Sequence, residues 1–202
     1  MKKFQLTLKR IWDVAGSLSG IVLLSPVLLL VYIAIKVTSK GPALFFQERL
    51  GLDGQVFNII KFRTMVINAE KIGDGLSIKS SGDPRITPIG SFLRKSSLDE
   101  LPQLYNILRG NMSIVGPRPP VTYYPYNRFE GYPDWAKDRF CMKPGLTGLA
   151  QVTVRNSVSW DERIRIDLEY IQKFSIRLDL KIILKTVRRV FKSSSIYMEK
   201  IT

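Results

Sequence analysis

The sequence predicts an α+β fold that is mostly helical, contains one β-hairpin and is bound to a membrane through its N-terminal part. Three observations predict this fold. They are a long apolar stretch near the N-terminus, two short apolar runs around a glycine-containing turn, and helical spacing of apolar residues near the C-terminus. We divide the chain into a membrane segment, residues 1–40, and a cytosolic and interfacial domain, residues 41–202.

The membrane segment is apolar from residue 14 to residue 37, where Lys36 carries the only charge. A helix rises about 1.5 Å per residue, so this stretch could just cross a hydrocarbon core of about 30 Å. Ser25 and Pro26 lie in its middle, and proline removes a helical hydrogen bond and kinks or breaks a helix. The length of this stretch alone therefore does not decide whether it crosses the membrane or turns back.

Basic residues flank this stretch on both sides: Lys2, Lys3, Lys9 and Arg10 before it, and Lys36 and Lys40 within and after its end. Because Lys and Arg mark the cytosolic side, these flanks favour a re-entrant helix, broken at Ser25-Pro26, in a monotopic protein. A spanning anchor and a cleaved signal peptide are the alternatives. No small-residue cleavage site follows, which argues against the signal peptide.

The remaining elements follow from local patterns. Residues 43–46 and 56–60 flank a turn with Gly51, Asp53 and Gly54, which predicts a β-hairpin. Residues 68–83 are polar and rich in Gly and Ser, which predicts a loop. Near the C-terminus, apolar residues at helical spacing line one predicted helix face: Leu180, Ile183, Leu184, Val187, Val190 and Phe191. With Lys and Arg on the other face, this amphipathic helix suits an anionic membrane surface and core packing equally.

The amino-acid composition limits the partners and the catalytic groups that this chain can have. The chain carries 31 Lys and Arg against 17 Asp and Glu, a net charge of +14, which implies an anionic partner: nucleic acid, an anionic membrane or a phosphorylated substrate. It has no His, which excludes a Ser-His-Asp triad, a Cys-His pair and a His-ligated zinc site. Cys141 is the only cysteine, so there is no internal disulfide, and a reduced cytosolic setting is expected.

Two adjacent carboxylates, Asp99 and Glu100, stand out because Ser97 and Glu100 have the spacing of a capping box. The pattern predicts a helix that begins near Ser97, with Asp99 and Pro102 in its first turn. Acidic residues there can be simple capping or a nucleophile beside a phosphate site. An exposed Asp has a pKa of about 3.9, so ionisation is no obstacle; repulsion from an anionic substrate is, and a metal with fixed Arg or Lys must offset it.

One such cation is suggested by a proline-flanked arginine. Arg118 stands between Pro117 and Pro119, which fix the backbone on both sides and suit a guanidinium that clamps a phosphate. A plain rigid turn is the alternative interpretation.

These segments resemble the bacterial sugar transferase family, the small monotopic phosphoglycosyl transferases that start membrane-linked glycan assembly. The resemblance covers nearly the whole chain. Besides Ser25-Pro26, its ordered blocks are QERLG (47–51), KFRTM (61–65), DPRIT (83–87), LRKSSLDELPQL (93–104), MSIVGPRP (112–119), PGLTGLAQV (144–152) and LDLKI (178–182).

The resemblance implies a Mg²⁺-dependent transfer of a sugar phosphate from a UDP-sugar to polyprenol (undecaprenyl) phosphate, with release of UMP. This is the first membrane step of glycoconjugate assembly, on the cytosolic face of the bacterial cytoplasmic membrane. The implied partners are these two substrates and membrane lipids, without nucleic acid. A covalent intermediate would let a soluble donor and a lipid acceptor use one site in turn.

The resemblance also implies roles for single residues. Asp99 would be the nucleophile, and Glu100 would help to place the metal, so that both are catalytic and metal-site residues. The substrate-binding positions implied by match are Arg118 with its neighbours Pro117 and Pro119, Lys61, Arg94 and Asp167.

The chain departs from the family pattern at several positions. Asn111 stands where an Asp is usual, and Ile166 and Glu169 stand where aromatic residues are common. Thr122 and Tyr123 occupy a region where many members carry an acidic residue. These departures leave the sugar undetermined. Two rival functions are a non-catalytic basic peripheral membrane protein and a metal-dependent phosphohydrolase that passes the same acyl phosphate to water.

Overall fold

The computed structural model describes residues 2–69, 72, 83–154 and 157–192. The predicted loop, residues 68–83, lies mostly outside these ranges. The helices and strands are, in chain order, α1 (Lys2–Thr38), β1 (Leu44–Leu50), β2 (Val56–Phe62), α2 (Pro88–Ser96), α3 (Gln103–Arg109), β3 (Ser113–Val115), α4 (Asp134–Lys137), β4 (Gly145–Thr147), α5 (Leu149–Thr153), α6 (Trp160–Gln172) and α7 (Ile176–Lys192). The chain is therefore mostly helical with a small antiparallel hairpin, as the sequence predicts.

Helix α1 continues through Pro26, so the predicted break in the helix is wrong. Pro26 has no N–H to donate to the carbonyl oxygen of Val22, and the hydroxyl of Ser25 donates to that oxygen instead, at 2.8 Å. One side-chain hydrogen bond thus replaces the missing backbone one, and the helix is not interrupted. The re-entrant path of this helix stays a prediction.

Both ends of α1 are fixed to the same domain. Near its start, Lys9 Nζ lies 2.5 Å from Asp179 Oδ2. Just after its end, Arg63 donates to the carbonyl oxygens of Ser39 and Lys40 at 3.0 and 2.7 Å. The helix is long and apolar enough to cross a membrane by length and composition. Its outward face exposes large apolar side chains: Ile11, Trp12, Leu18, Val22, Leu23, Leu29, Leu30, Ile33 and Val37.

Strands β1 and β2 form the predicted hairpin. They pair antiparallel, with Leu44 opposite Phe62 and Leu50 opposite Val56. The turn includes Gly54 with a φ of 72°, a left-handed conformation that glycine adopts without steric cost. This prediction is confirmed.

Helix α3 packs between α1 and β2 around a buried apolar cluster: Ile59, Leu104, Ile107 and Met112. The side chain of Asn106 ties α3 to β2, because it accepts a hydrogen bond from Ile60 N at 3.0 Å and donates one to Asn58 O at 2.8 Å. The strand β2 and the middle of α3 are therefore held in a fixed relation.

For helix α7 the sequence left two alternatives open, a position on the membrane surface and packing on the core. Ile182 is buried and joins the core beside Tyr170 and Phe174. Leu180 and Leu184 point away from that core and are 55% and 59% exposed. The helix therefore packs on the core and also keeps an exposed apolar row.

Candidate active site

Asp99 and Glu100 lie in a short 3-10 turn, Leu98–Glu100, between α2 and α3. The predicted helix start is wrong, because Ser97 ends α2 in a left-handed conformation with a φ of 58° and α3 begins only after Pro102. Pro102 gives the reason. It cannot donate to the carbonyl oxygen of Leu98, which instead accepts from Leu101 N at 3.3 Å, the shorter hydrogen-bond span of a 3-10 turn.

Glu100 faces two cations. Lys61 Nζ, on β2, donates to Glu100 Oε1 at 2.8 Å, and Arg118 Nη2 lies 3.7 Å from the same oxygen. Burial by itself raises the pKa of Glu100, but the charges of Lys61 and Arg118 outweigh burial and lower that pKa to about 2. Burial also lowers the pKa of Lys61, against the opposing effect of Glu100. Glu100 is therefore an ionised, fixed carboxylate.

The pKa of Asp99 is shifted in the opposite direction. Burial and the neighbouring charge of Glu100 raise the pKa of Asp99 to about 6, while Lys61 and Arg94 oppose the rise. At pH 7 a group with that pKa is still about 90% ionised. A carboxylate that is desolvated yet ionised is a better nucleophile than one fully hydrated in water. The sequence could not show this shift, because it depends on burial.

Arg94 reaches the same region from α2. Its Nε donates to Thr64 Oγ1 at 2.8 Å, which orients the guanidinium. Its charge also opposes the rise in the pKa of Asp99. The predicted residues Lys61, Arg94 and Arg118 thus surround the two carboxylates from three separate segments of the chain.

Residues 117–120 form a rigid support for Arg118. Three of the four are prolines, so their carbonyl oxygens are the segment's main polar backbone groups. The donors to these four oxygens are Gly145 N on Pro117 at 2.9 Å, Arg139 Nη2 on Arg118 at 3.0 Å, Arg49 Nη1 on Pro119 at 2.9 Å and Leu50 N on Pro120 at 3.0 Å. Every carbonyl of the segment is therefore fixed to the scaffold, which pre-organises Arg118.

Asp167, on α6, lies behind this segment. It is 2% exposed, and its Oδ2 lies 2.6 Å from Arg139 Nη2. Burial raises its pKa and Arg139 opposes that rise. A direct contact of Asp167 with substrate stays a prediction; in this structure its contact is with Arg139.

The sequence analysis did not predict two residues that support the segment of Arg118, namely Arg49 and Arg139. Arg49 could have been found, because it lies within the QERLG block that carries the family resemblance. No pattern in the sequence marks Arg139 as a site residue, because it follows a run of mixed charges that resembles an ordinary exposed helix. Its partner Asp167 is 28 residues away in sequence.

The donor set also fits a hard divalent cation. Within the described ranges, no group of three or more acidic or cysteine side chains could hold a metal ion by itself. Mg²⁺ is usually bound through one or two carboxylates and takes its other ligands from substrate phosphates and water. Both cation contacts of Glu100 fall on Oε1. Asp99 and the other oxygen of Glu100 are therefore the residues of this site that could hold such an ion.

The fold and this geometry define a domain with one helix long and apolar enough to cross a membrane and with a cation-lined carboxylate pair suited to a phosphorylated ligand. The family model described as "Bacterial sugar transferase" matches residues 4–193, nearly the whole chain. The chain belongs to the bacterial sugar transferase family.

Several curated proteins are similar over 94% of this chain. A UDP-glucose:undecaprenyl-phosphate glucose-1-phosphate transferase of Caulobacter vibrioides is 44% identical, and this chain covers 72% of it. The exopolysaccharide production protein ExoY of Sinorhizobium fredii is 40% identical, with 88% covered. The galactosyl transferase CpsE of Streptococcus agalactiae is 41% identical, but the chain spans only 43% of its length.

Proposed function

We propose that this chain transfers a sugar phosphate from a UDP-sugar to undecaprenyl phosphate. The observation that carries the proposal is the Asp99–Glu100 pair, in which one carboxylate is fixed by Lys61 and Arg118 and the other is half-buried with a raised pKa. The activity that names the Caulobacter vibrioides relative supports the same reaction class. The identity of the sugar is left open, because the relatives named above differ in sugar.

In the first step, a carboxylate oxygen of Asp99 attacks the phosphorus atom that bears the sugar. The new bond joins this oxygen to phosphorus, the bond from phosphorus to the bridging oxygen of the diphosphate breaks, and UMP leaves with its electron pair. Arg118 and Lys61 offset the repulsion between the carboxylate and the diphosphate, and no proton transfer to Asp99 is needed. The product on the enzyme is an aspartyl phosphosugar.

In the second step, a phosphate oxygen of undecaprenyl phosphate attacks the same phosphorus atom. The acyl phosphate bond to Asp99 breaks, which restores the free carboxylate and releases a polyprenyl diphosphate sugar. One covalent intermediate lets the soluble donor leave as UMP before the lipid acceptor is used. The site therefore needs space for only one phosphorylated partner at a time.

Mg²⁺ would be held by Asp99 and Glu100, and it would supply charge neutralisation on the diphosphate. Glu100 suits this role because its low pKa keeps it ionised. Its bond to Lys61 fixes its orientation before substrate arrives.

The domain is further proposed to lie on the cytosolic face of the inner membrane, with α1 as a re-entrant helix. Both ends of α1 contact one domain, and a bend at Pro26, where a backbone hydrogen bond is missing, would let the continuous helix enter and leave on one side. The exposed apolar row of α7 and the basic side chains beside it would rest on the anionic surface. Single cysteines at Lys2 and Lys40, in a Cys141→Ser background, should both be labelled only from the cytosolic side. Periplasmic labelling at Lys2 would show a spanning anchor instead.

The reaction is tested by incubating the detergent-solubilised protein with a panel of UDP-sugars and Mg²⁺, with and without undecaprenyl phosphate. We expect UMP release with a preferred sugar, and a lipid-linked product when the acceptor is present. Absence of turnover with every donor would favour the non-catalytic membrane protein. Free sugar phosphate with no lipid product would favour the phosphohydrolase.

A further inference from the structure

Arg139 connects a buried acidic residue to the segment that carries Arg118. It is 2% exposed, and its Nη2 makes two contacts: to Asp167 Oδ2 at 2.6 Å and to the carbonyl oxygen of Arg118 at 3.0 Å. Because one nitrogen makes both contacts, the direction of the hydrogen bond to Arg118 depends on the bond to Asp167. The three residues thus form a chain that leads from α6 to the edge of the carboxylate pair.

The ion pair is not well explained as a device for stability. Desolvating two charges costs free energy that their attraction often fails to recover, and a pair of apolar side chains of similar volume is often as stable. Other buried neighbours of the Arg139 guanidinium are the hydroxyl of Tyr132 and the ring of Phe140, and neither supplies a second negative charge. A role in placing Arg118 accounts for a charged pair at this position.

We propose that Arg139 and Asp167 are positioning residues, which hold the carbonyl of Arg118 so that its guanidinium stays directed at the donor phosphates. This inference rests on the proposed role of Arg118 in donor binding. It also gives Asp167 a function without requiring it to touch substrate. The Arg118 side chain is 39% exposed, so the constraint on its backbone is what limits the positions its guanidinium can sample.

The test replaces both members of the pair at once, as Arg139→Met with Asp167→Leu. Removing only one partner would leave an unpaired buried charge, whereas removing both is expected to preserve folding. We expect circular dichroism and thermal unfolding close to wild type. We also expect kcat/KM for the UDP-sugar to fall about 10- to 100-fold, the loss associated with one charge-assisted hydrogen bond. KM for undecaprenyl phosphate should stay unchanged.

The decisive comparison makes the same double change in an Arg118→Ala background. If the pair acts through Arg118, the further loss of donor kcat/KM there should be less than about twofold, because coupled residues are not additive. If the pair is merely structural, the losses will add, or a well-folded double variant will keep wild-type donor kinetics, and either result overturns the inference.

A second variant covers the case in which the double replacement does not fold. Arg139→Lys keeps both charges of the pair, so it should fold, but an ammonium lacks the planar fork that reaches both Asp167 and the carbonyl of Arg118. We expect a smaller loss of donor kcat/KM that also disappears in the Arg118→Ala background. An undiminished effect in that background would overturn the inference. Unchanged donor kinetics in Arg118→Ala alone would instead refute the proposed role of Arg118 itself.

Discussion

Replacing the proposed nucleophile should stabilise the protein while it removes activity. The folded structure raises the pKa of Asp99 from 3.8 to about 6, so the ionised carboxylate costs folding free energy at neutral pH. At about 1.4 kcal/mol per tenfold change, this difference corresponds to an upper value of about 3 kcal/mol, and partial exposure and coupling to Glu100 reduce it to about 1–2 kcal/mol. Asp99→Asn removes that cost, which should raise the unfolding temperature by roughly 2–8 °C.

The sign of the pH dependence makes this test specific. A raised folded-state pKa means that the folded protein binds the proton more tightly, so the cost grows as pH rises from about 4 to above 6. The unfolding temperatures of wild type and Asp99→Asn should therefore agree near pH 4 and separate above pH 6. Circular dichroism melts in detergent between pH 4 and pH 8 measure this difference. An Asp99→Asn protein that is less stable at pH 7, or whose advantage does not depend on pH, would refute the reasoning.

Glu100→Gln is the matched control, because the same measurement should have the opposite sign. The pKa of Glu100 is lowered from 4.5 to about 2, so its ionised form contributes stability above pH 4.5 that is lost as the pH falls towards 2. Glu100→Gln should therefore lower the unfolding temperature at pH 7. If both substitutions raised the unfolding temperature equally, the removal of one negative charge from this region would explain the increase. The particular environment of Asp99 would then not be its cause.

Three further predictions concern activity. The rate of UMP release should fall as pH drops below about 6, with slope one, because protonated Asp99 is not a nucleophile; a rate that is flat down to pH 5 would contradict this. Addition of EDTA should abolish turnover and Mg²⁺ should restore it, whereas turnover in EDTA would remove the metal from the proposal. Arg118→Ala should raise KM for the donor about tenfold or more, while binding to anionic vesicles, measured by flotation, should stay at the wild-type level.

The sequence predicted those elements that depend on residues close together in the chain. The hairpin followed from apolar runs and the residues of its turn, and both are set within 20 residues. The Asp99–Glu100 pair and its cations Lys61 and Arg118 followed from motif blocks, and the structure brings them together. The continuity of α1 could not be predicted, since it depends on the rotamer of Ser25.

Features that depend on distant contacts were missed. The parallel pairing of Ser113–Val115 with Gly145–Thr147 joins two strands of three residues each, too short to show a pattern. It also needs a glycine, because a Cβ on Gly145 would lie 2.1 Å from Gly116 N. The raised pKa of Asp99 and the Arg139–Asp167 pair likewise depend on burial. Spacing in sequence carries no information on burial of this kind.

The most direct test of the central proposal is to look for the covalent intermediate. Wild-type protein is incubated with Mg²⁺ and its preferred UDP-sugar without undecaprenyl phosphate, quenched, digested and analysed by mass spectrometry. The account predicts a sugar phosphate on the peptide that contains Asp99, absent from Asp99→Asn and lost when the lipid acceptor is added. Turnover without any adduct on that peptide, or near-normal activity of Asp99→Asn, would contradict it.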